Sequence, residues 1–416
     1  MTSTRQDSAA PDSAAPQGAL FPNADAPGPA NRDAANPDTA DGEMVQLLDQ
    51  DGALRADPDF SGYISDVDAQ MLRGFYRDMA LTRRFDQEAT ALQRQGQLAL
   101  WVPLRGQEAA QIGSGRATRS HDYIFPTYRE HGVALTRDVD FPQMLRIFRG
   151  ISNGGWDPRE NNFHMYTMVL AAQVPHATGY AMGIQRDQAG WDRARLEREG
   201  TAVVAYFGDG ASSEGDVHES MVFASSYKSP VVFFCQNNQW AISVPTRVQS
   251  RIPLAERARG YGFPGIRVDG NDVLAVLAVT RWALERARRG EGPVLIEAFT
   301  YRMSAHTTAD DPTKYRLSAE EESWAPKDPL VRLEKHLRSA GHADDAFFEQ
   351  VARAGDQMAA RVREEALAFP DPTLEDSFNN VYAEAHPLIA EELRWHKEYE
   401  AGFAQSPAEA GQEGAR

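Results

Sequence analysis

The strongest constraint on the fold is the way two apolar runs end. TAVVAYF (201–207) stops at Gly208-Asp209-Gly210, and PVVFFC (230–235) stops at Gln236-Asn237-Asn238, with 26 residues between the last glycine and the first asparagine. Short β-branched and aromatic runs of this kind read as buried strands, while the intervening DVHESMVFASSYK has helical periodicity. GIRVDG (265–270), DVLAVLAVTRWALERARRG and PVLIEAFTY (293–301) continue the alternation. Strand, helix, strand in repetition predicts an α/β fold, a parallel sheet with helices on both faces. Ligands of such sheets bind beyond the carboxyl ends of the strands, where both odd motifs fall.

The residue types there suit one chemistry. Glycines on either side of Asp209 permit a tight strand-to-helix turn and let a phosphate approach the backbone. Asp209 offers a hard oxygen ligand, and an asparagine on the next strand end offers another. That set fits Mg²⁺ bridging to a diphosphate, because Mg²⁺ keeps few protein ligands and takes the rest from phosphate oxygens and water. A calcium loop beginning at Asp209 fails, since its third, sixth and twelfth positions are Ala211, Glu214 and Ser220. A dinucleotide fingerprint fails as well, with Ser213 in place of the third glycine and no ribose-binding carboxylate after the second strand.

A formal charge of −17 disfavours nucleic acid or an anionic membrane as the main partner. No run of 18 apolar residues is present, nor an apolar stretch behind basic residues at the N-terminus, so the expected location is the cytoplasm. Cys235, the only cysteine, closes an apolar run and reads as a buried small hydrophobe. Residues 1 to about 44 carry seven acidic side chains and only Arg5 and Arg32 as bases, a composition too polar to fold alone. The expected layout is a mostly disordered tail over 1–64, an α/β domain over 65–330, a helical segment over 331–400 and a flexible tail over 401–416. Asp328 and Pro329 supply the cap and first turn of the first C-terminal helix.

Further blocks give the motifs a family resemblance. LRGQEAAQIG, PTYREHG, AAQVPHATG, GIRVDGND and YRMSAHTTADDPTKYR, in that order around GDG and QNNQWAIS, resemble the alpha subunits of thiamine-diphosphate-dependent 2-oxo acid dehydrogenases from about residue 65 to 400, most nearly those of bacterial pyruvate dehydrogenase complexes. The resemblance implies thiamine diphosphate and Mg²⁺ as cofactors. It implies that Asp209 and Asn238 bind Mg²⁺ through side chains and Trp240 through its carbonyl, where the family usually has Tyr. Tyr128 and Arg129 would hold the diphosphate, which Gly208, Gly210 and Ala211 approach, and Leu170 would meet the aminopyrimidine. His306 would act as acid/base towards cofactor and lipoyl substrate, with Arg302 in support.

The implied reaction is decarboxylation of a 2-oxo acid and transfer of the acyl group to the lipoyl arm of a dihydrolipoyl acyltransferase. A glutamate that this chemistry needs belongs, in the family, to a beta subunit, so the expected assembly has two alpha and two beta chains. An apolar stripe of Phe378, Val381, Tyr382, Leu388, Ile389 and Leu393 would either meet that subunit or pack on its own domain. Met168 and Ala172 stand where the branched-chain subfamily surrounds a potassium ion with hydroxyls, and Val102 where animal pyruvate dehydrogenases have histidine. Thr307 takes the place of a regulatory phosphoserine and reads as an ordinary loop hydroxyl. The pyruvate-like AAQVP block and the missing potassium hydroxyls make pyruvate the expected substrate, with 2-oxoisovalerate the alternative, and Val102 is a departure from the pyruvate pattern. The rival classes are a transketolase half-chain, which should lack RMSAHTTADDPTKYR, and a non-catalytic scaffold subunit.

Overall fold

The structure, a computed structural model, describes residues 44–404 apart from 153 and 380. The tails expected over residues 1–43 and 405–416 lie outside the described residues. Five strands form one all-parallel sheet: β1 (Tyr123–Phe125), β2 (Val203–Gly208), β3 (Val231–Asn237), β6 (Gly265–Asp269) and β7 (Val294–Phe299), in the order β1-β2-β3-β7-β6. Beyond β3 a short antiparallel hairpin, β4 (Trp240–Ala241) and β5 (Val244–Pro245), was not foreseen.

Alternation along the strands separates two cores. Val204, Tyr206, Val232 and Phe234 face the side covered by α1 (Ala69–Arg94), α2 (Glu108–Ala117) and the helix Val273–Arg288, while Val203, Phe207, Val231, Phe233 and Cys235 face the side covered by the helices Gln173–Asp187 and Gly215–Tyr227. Both faces being buried explains why the strands read as continuous apolar runs. Helix starts follow the side-chain caps: Asp272 accepts from Leu274 and Ala275 N–H, and Asp328 accepts from Leu330 N–H ahead of Pro329.

The chain is ordered before Ser65, contrary to expectation. Val45 pairs in parallel with Val268 at the outer edge of β6, and Asp272 Oδ2 accepts from the N–H groups of Leu47 and Leu48, both at 2.6 Å. Val45, Leu47 and Leu48 are buried there, and this edge pairing satisfies backbone groups that β6 would otherwise expose. At the other end the helix Pro387–Ala404 runs past residue 400. The C-terminal stripe divides: Phe378, Ile389 and Leu393 are partly buried, Phe378 against His396, while Val381, Tyr382 and Leu388 are about half exposed or more, as are Trp395, Tyr399 and Phe403 on the same helix. No helix among the described residues is long and apolar enough to cross a membrane.

Candidate active site

Beyond the carboxyl ends of β2 and β3 lies a cavity of about 270 Å³. It brings together every site residue expected from the sequence. Tyr128, Arg129 and Leu170 form one wall, Gly208, Asp209, Gly210 and Ala211 the end of β2, Asn238 and Trp240 the end of β3, and Arg302 and His306 the loop after β7.

The two adjacent asparagines do different jobs. Asn237 turns away, donating to Glu297 Oε1 (2.7 Å) and accepting from Gln239 N–H and Thr246 Oγ1. Asn238 reaches the cavity, its Nδ2 donating to Gln107 Oε1 (3.2 Å), which leaves Oδ1 for the cavity side, where Trp240 N–H and Arg302 Nη1 approach it. Thr246 ties the strand ends together, donating to Asp209 Oδ2 at 3.0 Å and to Asn237 Oδ1 at 3.1 Å. Burial pushes the Asp209 carboxyl up from its ordinary value, with Thr246 and Gln249 opposing.

The turn at the end of β2 is made without left-handed backbone. Neither Gly208 nor Gly210 takes a positive φ. A Cβ on Gly210 would lie 2.7 Å from that of Ala241 in the hairpin, so this glycine is required by close approach, whereas a Cβ on Gly208 would meet nothing within 4 Å. Left-handed backbone appears instead at Ala171, Gln239 and Ile242 around the cavity, a cost that the surrounding structure has to hold.

Two buried guanidiniums converge on His306. Arg129 Nη2 donates to the His306 carbonyl (3.0 Å) and stands 3.3 Å from Nδ1, and Arg302 Nη1 stands 3.4 Å from the same nitrogen. Guanidinium only donates, so Nδ1 is the acceptor and the ring's proton sits on Nε2. Burial, then Arg129 and Arg302, hold His306 down to about 3. Arg302 does more than support that ring: Nη1 donates to the Trp240 carbonyl at 2.7 Å and Nη2 to that of Ile242 at 3.2 Å, fixing the hairpin turn. Burial lowers its own affinity for protons to about 10.

The donor chemistry fits an anion beside a hard cation. Among the described residues neither Arg129 nor Arg302 has a carboxylate within 4 Å; carbonyl oxygens and the imidazole receive them, which leaves their charge for an anion to neutralise. Asp209, Asn238 Oδ1 and the Trp240 carbonyl supply one charged and two neutral oxygens, in keeping with a metal that takes its other ligands from phosphate and water. The described residues hold no group of three or more His, Cys, Asp or Glu for a metal.

The sequence reading missed the cavity floor. Glu130 Oε2 accepts from Thr127 N–H and Oγ1, its Oε1 accepts from Gln236 Nε2 at 2.6 Å, and Gln236 Oε1 accepts from Gln111. This network locks the Tyr128-Arg129 turn to β3. The glutamines and Glu130 stood inside quoted blocks, but only the tertiary contacts reveal their partnership. Of the other flagged positions, Val102 is buried outside the cavity lining and Met168 is partly exposed. Thr307 Oγ1 accepts from Ala309 N–H within its loop.

The description "Dehydrogenase E1 component" belongs to the family model that matches residues 76–373. The 3-methyl-2-oxobutanoate dehydrogenase subunit alpha of Mycobacterium tuberculosis (strain ATCC 25618 / H37Rv) is 43% identical over 350 residues, covering 84% of this chain and 92% of the relative. The pyruvate dehydrogenase E1 component subunit alpha of Staphylococcus epidermidis (strain ATCC 12228 / FDA PCI 1200) is 38% identical over 362 residues, 86% of this chain and 94% of the relative.

Proposed function

Because the chain belongs to the dehydrogenase E1 component family, as the alpha subunit of a 2-oxo acid dehydrogenase, we propose that its cavity holds the diphosphate end of thiamine diphosphate together with Mg²⁺. The observation that carries this reading is two buried guanidiniums without a carboxylate partner facing one carboxylate and two neutral oxygens. Arg129 and Tyr128 bind the diphosphate, and Asp209, Asn238 and the Trp240 carbonyl hold the metal. The backbone at Gly208, Gly210 and Ala211 would hold the phosphates, and that of Leu170 the aminopyrimidine. When bound, thiamine diphosphate supplies the nucleophilic carbon and the electron sink for decarboxylation of the 2-oxo acid. His306 Nε2 would serve as acid/base towards the lipoyl substrate, and Arg302 keeps that ring and the Trp240 and Ile242 carbonyls in place.

The partners that follow are a beta subunit, in an assembly of two alpha and two beta chains, and the lipoyl domain of a dihydrolipoyl acyltransferase; the cytoplasm is the matching compartment. For the substrate, higher identity to a 3-methyl-2-oxobutanoate dehydrogenase subunit, with the apolar Leu170 and Ile242 at the cavity, favours a branched 2-oxo acid. Pyruvate, which the AAQVP block favoured, is the second reading. A pocket separates substrates by roughly 1 to 3 kcal/mol per methylene, so kcat/KM for 3-methyl-2-oxobutanoate should exceed that for pyruvate by about tenfold or more. Steady-state comparison of the assembled enzyme with both acids decides this, and a higher value for pyruvate restores the second reading.

A further inference from the structure

The loop that carries His306 is tied to the end of β3 only at its start, where Thr300 N–H donates to the Asn237 carbonyl (2.9 Å) and Arg302 N–H to that of Asn238 (3.3 Å). It is held by a strap, Trp101 to Gly106, that has no regular secondary structure of its own. The attachment is made at both ends. Thr308 N–H donates to the Trp101 carbonyl (2.9 Å), and Thr308 Oγ1 accepts from Trp101 N–H (3.0 Å). Met303 N–H donates to the Arg105 carbonyl (3.0 Å), and Thr300 Oγ1 donates to that of Gly106 (2.8 Å). In the middle, Arg129 Nη1 donates to the Pro103 carbonyl while Nη2 holds the His306 carbonyl.

The strap is itself fastened to the core outside the cavity: Glu108 Oε2 accepts from Gly106 N–H (2.9 Å), His131 Nε2 stands 3.2 Å from the Val102 carbonyl, and one carboxyl takes two strap donors. Asp86, on α1 and 4% exposed, accepts through one oxygen, Oδ1, from both the Trp101 indole N–H (2.8 Å) and the Leu104 backbone N–H (3.2 Å). Phe85 packs edge-on against the Trp101 ring and His131 stacks on it, so the indole cannot turn away to find another acceptor. A carboxyl buried this deeply works against its own ionisation: burial pushes Asp86 up to about 7, with the indole bond opposing. Packing alone would be served as well by leucine, without a polar group to desolvate.

We infer that Asp86 is a positioning residue for His306: its Oδ1 fixes the Trp101–Gly106 strap, and the strap fixes the loop. The assignment rests on the proposed role of His306 for its catalytic meaning, but its mechanical content stands apart from any turnover. Because both strap donors share one acceptor oxygen, asparagine retains the function and leucine removes it.

Hydrogen exchange of the full-length chain, followed by mass spectrometry, tests this with Asp86→Asn and Asp86→Leu. In Asp86→Leu, amides of residues 301–310 should exchange about tenfold faster, the factor that loss of an ordinary buried hydrogen bond corresponds to. Those of the helix Val273–Arg288 should be unchanged, and Asp86→Asn should stay within about twofold of the unaltered chain throughout. Unchanged loop exchange in Asp86→Leu overturns the inference, and so does equal loosening in both variants, which would assign the effect to charge. Acceleration in the helix as well as the loop overturns it too, since that is general destabilisation. Should Asp86→Leu fail to fold, Trp101→Phe removes the indole donor, with part of the ring's volume, and keeps the Leu104 N–H bond; about threefold faster exchange in the loop with the helix Val273–Arg288 unchanged is then expected, and no change in the loop, or acceleration in the helix as well, contradicts the relay. Exchange needs no turnover, so failure of the proposed function and failure of the relay are read separately.

Discussion

Asp209→Ala should lose Mg²⁺-dependent thiamine diphosphate binding by at least about 100-fold, since even partners beyond the direct metal ligands cost 10- to 100-fold. The carboxylate is the single charged oxygen in the proposed donor set, and the neutral Asn238 and Trp240 oxygens cannot replace its charge. The fold should survive. Asp209 is 2% exposed and burial raises its carboxyl, so its ionised form works against the folded state at neutral pH. In linkage terms the folded chain binds the proton more tightly than the unfolded one, and stability from this group falls as pH rises above its ordinary carboxylate range. Thr246 keeps Asn237 Oδ1 as a partner when the carboxylate is gone. Calorimetric titration with thiamine diphosphate and Mg²⁺ checks the binding, with circular dichroism for the fold; near-normal affinity in a folded variant contradicts the metal assignment.

His306→Ala should lower acyl transfer to a lipoyl acceptor by about 10²- to 10⁴-fold, the usual cost of losing a general acid or base. Decarboxylation assayed with an artificial electron acceptor should fall much less, because His306 is assigned to the transfer step. Equal losses in the two assays would move His306 to cofactor binding. The same variant carries a pH signature in the chain without added cofactor. His306 is held down to about 3 by burial and the two arginines, so the unfolded chain takes up its proton first, below about 6.5, and stability from this group is lost as pH falls from there. The thermal midpoint of His306→Ala should therefore gain on that of the unaltered chain towards acid pH, and parallel midpoints across pH 7 to 5 contradict the burial of a neutral imidazole.

Much of the site was legible because its pieces sit at strand ends, where apolar runs stop at unusual residues. Strand β2 with Asp209 and strand β3 with Asn238 needed only local pattern and the rule that parallel sheets bind ligands at their carboxyl ends. Tyr128, Arg129 and His306 came from motif resemblance, and they line the same cavity. What stayed hidden depends on contacts between distant segments. Nothing local distinguishes Asn237 from Asn238; the difference is Glu297, sixty residues away on β7. The Glu130–Gln236 floor, the Thr246 bridge and the Asp86 anchor likewise join residues that no periodicity connects. The segment around Val45 reads as tail because its neighbours are polar and acidic, yet three apolar residues and the Asp272 carboxylate suffice to dock it on β6. Arg302 stands beside the His306 ring as its expected support requires, but its tightest bond, to the Trp240 carbonyl, is one that no local pattern reveals.

The central claim is that this alpha chain carries the diphosphate half of an active site and needs a beta chain for the rest. The described structure has one five-stranded parallel sheet, and the helix Pro387–Ala404 leaves Trp395, Tyr399 and Phe403 exposed, as apolar surface that a partner chain could cover. The direct measurement is 2-oxo acid decarboxylation by the purified chain with thiamine diphosphate and Mg²⁺, before and after co-expression with its cognate beta subunit, with particle mass by light scattering. The account predicts no turnover by the chain alone, and turnover with a particle of two alpha and two beta chains once the partner is supplied. Robust turnover by the alpha chain, free of any partner on mass spectrometry, would contradict it and require the missing glutamate to be found within these 416 residues.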